Sequence, residues 1–227
     1  MHIEPPNTRL ASLRDFAKHY LMIVLSILTA LGLEAWIEHA HHAHAAEAAS
    51  LHIRTELQAN LADVRTSIKT NQGLVAPLRQ LDDAVAKDIR DGVPTATINQ
   101  YIQAHKEDFR LSINWPTFAS QSWDVAVANQ SASWMDDAVL RRYSVAYADL
   151  RETSDWISHD GTLLIDAPAV ERLRTRIALG ATVDPLDFVN AARQMINTSA
   201  ETQSHLQQLE NHLVTALGKD AESGAHG

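Results

Sequence analysis

The chain has no cysteine among its 227 residues. That excludes a disulfide framework, a thiolate metal site, an iron–sulfur cluster, a cysteine nucleophile and a lipidated cysteine. Glycine and proline are scarce, 8 and 7, which excludes collagen-like and low-complexity chains. Basic residues are outnumbered 19 to 28, for a net charge of −9 with histidine neutral, so a nucleic-acid backbone is not an expected partner. No sustained two-residue alternation bounded by turn signals runs along the chain, so a sheet is not expected. The zinc-protease, nucleophile-elbow and phosphate-loop patterns are missing as well. The sequence therefore predicts no catalytic residues, no cofactor and no enzyme. With 45% apolar residues, it carries enough hydrophobic material for a buried core.

That material is concentrated first near the N-terminus, in LMIVLSILTALGLEAWIEH. Tyr20 to Leu33 is fourteen residues without a charge, about 21 Å as a helix against the roughly 30 Å of a bilayer core. Extension to Ile37 gives about 27 Å, with Tyr20 and Trp36 suited to the two interfaces and Lys18 able to snorkel. Arg9, Arg14 and Lys18 precede the run, while Glu34, Glu38 and Glu47 follow it before any further Lys or Arg. The asymmetry predicts a cytoplasmic N-terminus and an inner-membrane protein with its bulk outside the cytoplasm. A cleaved signal peptide competes with this reading, but its best site, Ala43-His44-Ala45, lies well beyond the run. A buried soluble helix competes too, although Leu21 to Leu33 is apolar on every face. Ser26, Ala30 and Glu34 recur at four-residue spacing and mark one side of the helix. They offer a lateral partner face in the membrane, or else Glu34 simply sits at headgroup level.

Beyond the run the pattern is helical. No glycine or proline falls between Gly32 and Gly73, so one helix is predicted from Leu10 to Thr70, ended by Asn71-Gln72-Gly73. Leu74, Leu78, Leu81, Val85 and Ile89 predict a second helix returning antiparallel to it. A short helix over 95–104, another opened by Pro116 and running to about Asn129, and a long one over 135–157 follow. His159-Asp160-Gly161 stops that one; Asp166 caps a short helix that Gly180 ends, and Asp184-Pro185 opens the last, closed by Gly218. The long first and last helices are expected to pair with the 74–90 and 136–157 helices. The fold class is all-α: an N-terminal transmembrane helix continuing into an antiparallel helical bundle. The corresponding divisions are a cytoplasmic stretch 1–19, a span 20–37, an extracytoplasmic body 38–218 and a disordered tail 219–227.

Two clusters carry candidate chemistry. His39, His41, His42 and His44 follow the apolar run, and imidazoles at such spacing can hold zinc, copper or nickel. They wrap around the helix, so a solvated membrane-proximal face is the plainer reading and no metal site is assigned. Trp115, Trp123, Trp134 and Tyr143 either line a ligand pocket or wedge helix corners into the core. Arg141-Arg142 and the arginines at 172, 174 and 176 fit a wetted, ion-paired face.

The pieces ILTALGLEAWIEH, ELQANLADV and SQSWDVAVANQSASWMDDAVLRRYSVAYADL together resemble a group of short bacterial single-pass inner-membrane proteins of unknown function. The resemblance implies one N-terminal anchor and a helical periplasmic domain, and brings no catalytic residues. The expected partners are the lipid bilayer and a protein, either another chain or a second copy. The expected function is interaction or scaffolding outside the cytoplasm. The alternative is a small-ligand sensor domain that signals through its single membrane helix.

Overall fold

The computed structural model describes residues 13–160 and 167–218, and no strand occurs among them. The predicted Asp166 cap, the 219–227 tail and the basic Arg9 lie outside the described residues. Six α-helices are present among the described residues, and the expected all-α class is the observed one.

The first helix, α1, runs Leu13–Arg90, 78 residues, or about 117 Å. It does not end at Asn71-Gln72-Gly73, and no antiparallel partner begins at Leu74. The separate helix predicted over 74–90 is the continuation of α1. The reason lies in its buried seam: Ile53, Leu57, Asn60, Val64, Ser67, Asn71, Leu78, Leu81 and Val85 are all buried and follow alternating three- and four-residue steps, with half-buried Leu74 filling the one gap. Asn71 belongs to this heptad seam rather than to a turn. Gly73 and Pro77 are both on the exposed side. Pro77 lacks the N–H that would bond the Gly73 carbonyl, and on this face water can take that bond instead. Packing along the seam outweighs the two poor helix formers.

One consequence is measurable. An added Cβ at Gly73 meets nothing within 4 Å, so Gly73→Ala should stabilise the protein by about 1 kcal/mol. Thermal unfolding followed by circular dichroism should then show a midpoint about 2–4 °C higher.

The last helix, α6 (Pro185–Leu217), lies antiparallel along α1 and forms its most extensive packing. Asp184 caps it, accepting from the backbone N–H of Leu186 at 2.8 Å and Asp187 at 3.1 Å, and Gly218 closes it at φ 66°. Both ends match the sequence reading. The predicted pairing holds for the 136–157 helix, which packs on the last helix, but not for 74–90, which is α1 itself; the first and last helices chiefly pack on each other. Two apolar clusters result. One joins Ala46–Val64 of α1 to Leu206–Leu217 of α6, and the other joins Val75–Ala86 to Val183–Ile196. Between them lies a polar waist of buried Ser67 and Asn71 on α1 and Thr198, Ser199 and Thr202 on α6.

Helix α2 (Thr95–Ala104) matches its prediction and packs on the far end of α1. Helix α3 (Gln121–Ala128) begins five residues after the expected Pro116, because 110–120 is used differently. Asn71 donates to the Asn114 carbonyl at 3.0 Å and accepts from its N–H at 2.6 Å. Asn60 does the same to Ala119, at 2.8 and 2.9 Å. Eleven helical residues rise about 16.5 Å, and five extended residues cover about the same length. The segment is thus strapped antiparallel along α1 by two side-chain amides. A third amide, that of Asn99 on α2, clamps Val183 in the same manner at 3.0 and 2.7 Å.

Helix α4 (Asp137–Asp155), capped by Asp136, continues as a π turn over Trp156–Asp160, into the expected stop at 159–161. It packs against α6. Helix α5 (Ala167–Ala178) ends as expected just before Gly180, whose φ is 71°.

Candidate functional site: the apolar helix and its junction with the helical body

One helix among the described residues is long and apolar enough to cross a membrane, and none of its most apolar eighteen-residue stretch is buried. The leucines and isoleucines between Leu21 and Ile37, with Trp36, expose 45–68% of their surface. Soluble proteins rarely expose so continuous an apolar surface. The polar side chains within it are satisfied internally: Ser26 Oγ donates to the Met22 carbonyl at 2.8 Å and Thr29 Oγ1 to that of Leu25 at 2.7 Å. Those bonds remove the cost of placing a hydroxyl in hydrocarbon. Ser26, Ala30 and Glu34 are all exposed, and no other element among the described residues packs on them.

The body begins where the apolar run ends. His42 stacks on Trp134 with ring centroids 3.9 Å apart and planes 13° from parallel. Ala46 is the first buried residue of the core, and one turn later Ser50 Oγ lies 3.0 Å from the Tyr143 hydroxyl. His39, His41 and His44 are exposed on other sides of the helix. Among the described residues no three His, Asp or Glu side chains come together in a way that could hold a metal. The four histidines are therefore spread around α1, with His42 alone engaged in packing.

The aromatic residues divide. Trp123 and Tyr143 are buried in the cluster nearer the apolar stretch, whereas Trp115 and Trp134 remain 38% exposed. Trp115 meets Trp156 edge-on at 6.4 Å and lines a cleft of about 440 Å³ with Leu111, Ile113, Ile157 and Met195. The four do not share one pocket. A second cleft, about 620 Å³, lies between α4 and α6, where Trp156 stacks on His205 at 4.3 Å and Asp149 faces His212 at 2.8 Å.

Two carboxylates that the sequence pattern did not single out organise the body. Glu56 accepts from the Tyr147 hydroxyl at 2.5 Å and from the Ser122 N–H at 2.9 Å. Helix α3 lacks a cap of its own, so α1 supplies one. Tyr147 is buried and stacks on Trp123 at 5.2 Å. Burial first, then the bond to Glu56, pushes the Tyr147 phenol well above its ordinary range. The folded state keeps that proton where the unfolded chain, at pKa 10.0, releases it. Its contribution is complete below pH 10 and is lost as pH rises toward the folded value. Tyr147→Phe should cost about 1 kcal/mol at neutral pH and flatten the alkaline fall in melting temperature; an unchanged alkaline slope would count against this assignment. Asp82, buried between the two long helices, has Oδ2 3.4 Å from Arg193 Nε and no partner for Oδ1. Burial raises its carboxyl above the ordinary range, against the pull of Arg193. A heptad count that flagged polar residues at seam positions would have found Asn60, Ser67 and Asn71; Glu56 and Asp82 stand beside the seam and leave no such signal.

No protein family, curated protein or solved structure matches the chain.

Proposed function

We propose that the chain is a single-pass membrane protein that holds a helical interaction body outside the cytoplasm, over residues 38–218, on the continuous helix that spans the bilayer at 20–37. The observation that carries this reading is the unburied apolar stretch of α1, joined to the packed body without any break in the helix. The charge asymmetry around it favours a cytoplasmic N-terminus and an inner-membrane location. Retention of the segment is favoured over cleavage. The Ala43-His44-Ala45 site is inside the helix, next to buried Ala46, and removal of the preceding residues would strip His42 from Trp134. The resemblance to single-pass inner-membrane proteins points the same way. We assign the body the work of binding a protein, another chain or a second copy, on the strength of its long continuous helix and its acidic balance. The small-ligand sensor remains the second reading, and the cleft beside Trp115 is the feature that favours it.

Carbonate-washed membranes should retain the full-length chain, and a membrane-impermeant maleimide should label Thr97→Cys in spheroplasts with intact membranes. A mature chain beginning near Ala46, or a Thr97→Cys chain labelled only after lysis, would overturn the reading. Crosslinking in native membranes then separates the two functions. Specific protein adducts support binding; their absence, together with ligand-dependent stabilisation lost in Trp115→Ala, supports the sensor.

A further inference from the structure

We infer that the loop between α3 and α4 docks onto the headgroup layer of the membrane that holds α1, seating the body on the lipid surface through Trp134. This inference rests on the anchored reading above and adds a second membrane contact to it. Three observations carry it. First, the depth is right. His42 is five residues past Ile37, about 7.5 Å along the helix, and the headgroup layer on each side is about 5–7 Å thick. The His42–Trp134 stack therefore lies at the outer edge of that layer, and helical side chains lean further toward the N-terminus.

Second, the chemistry is right. Val125 to Met135, VAVANQSASWM, is eleven residues without a charge in a chain that is 21% charged, and Val127, Asn129, Gln130, Ser133 and Trp134 are exposed. An exposed indole among small polar groups suits an interface with both apolar and wet sides. Third, the nearest carboxylate beyond it is occupied. Asp136 accepts from the N–H groups of Ala138 and Val139 at 2.9 and 3.2 Å, and it and the neighbouring Asp137 stand at the α4 N-terminus, where the helix dipole offsets part of their charge.

The absence of native cysteine makes the test direct. Full-length Ser133→Cys, Leu28→Cys and Thr97→Cys chains, each carrying one fluorophore, are placed in phosphatidylcholine–phosphatidylglycerol vesicles containing nitroxide lipids. The label at 133 should lose intensity to headgroup nitroxide, that at 28 to acyl-chain nitroxide, and that at 97 to neither. Adding Trp134→Ser should abolish the loss at 133. Quenching at 28 without quenching at 133 overturns the docking and leaves the anchor standing; no quenching at 28 overturns both. A shielded but unquenched label at 133 that becomes water-exposed in nanodiscs holding one copy would assign the loop to a second chain, and so also overturns the proposal.

Discussion

Asn60→Ala combined with Asn71→Ala should destabilise the protein by about 4 kcal/mol, lowering the thermal midpoint by about 8–16 °C. Each substitution leaves one backbone N–H and one carbonyl of the strap without partners. An unpaired buried group costs about 1–3 kcal/mol, reduced here because the strap is partly accessible to water. Asn71→Ala also disturbs Asn114, which donates to Ser67 Oγ at 2.9 Å. Asn60→Asp is the informative companion. It keeps the acceptor for the Ala119 N–H but sets a carboxylate oxygen against the Ala119 carbonyl at a buried site, and should cost at least as much as Asn60→Ala at neutral pH. Equilibrium urea unfolding reads both, and additive small losses would show that the strap is not held by these amides.

Leu28→Arg should release the chain from the membrane. Leucine at the centre of a span is favourable by about 0.3–0.6 kcal/mol and arginine unfavourable by about 2.5–3.5 kcal/mol. The exchange is worth about 3 kcal/mol, or roughly a hundredfold in partitioning. Leu28 is exposed, so the folded region should keep its own melting behaviour. Leu28→Ala, at the same exposed position, should leave membrane retention unchanged. If Leu28→Arg were retained after a carbonate wash, the stretch would be held by protein contacts rather than by lipid.

The helices legible in the sequence were those whose ends carry local chemistry. Asp184 followed by Pro185 opens α6, and Gly180 and Gly218 close α5 and α6, because a cap or a positive φ is a property of a few adjacent residues. The course of α1 past Gly73 was not legible in that way. A glycine costs a helix about 1 kcal/mol, and the long-range packing of Leu78, Leu81 and Val85 on α6 exceeds that cost. The same limit applies to Pro116: locally it suits a helix start, but Asn60 and Asn71 hold the neighbouring chain extended. Trp123 and Tyr143 were legible as an alternative between pocket and core, and their burial decides for the core. The apolar run is legible from composition alone, since none of it is buried among the described residues in a way that could override the pattern.

The unbroken length of α1 turns small angular changes at one end into large excursions at the other. Arg90 stands about 80 Å along the axis from Ile37, so leaning the rod by an ordinary 20° sweeps its tip sideways by about 27 Å. In the anchored reading proposed above, a partner near the α2 turn would be found or missed according to the lean of a helix whose foot is far away, and bilayer thickness would then set the protein's reach.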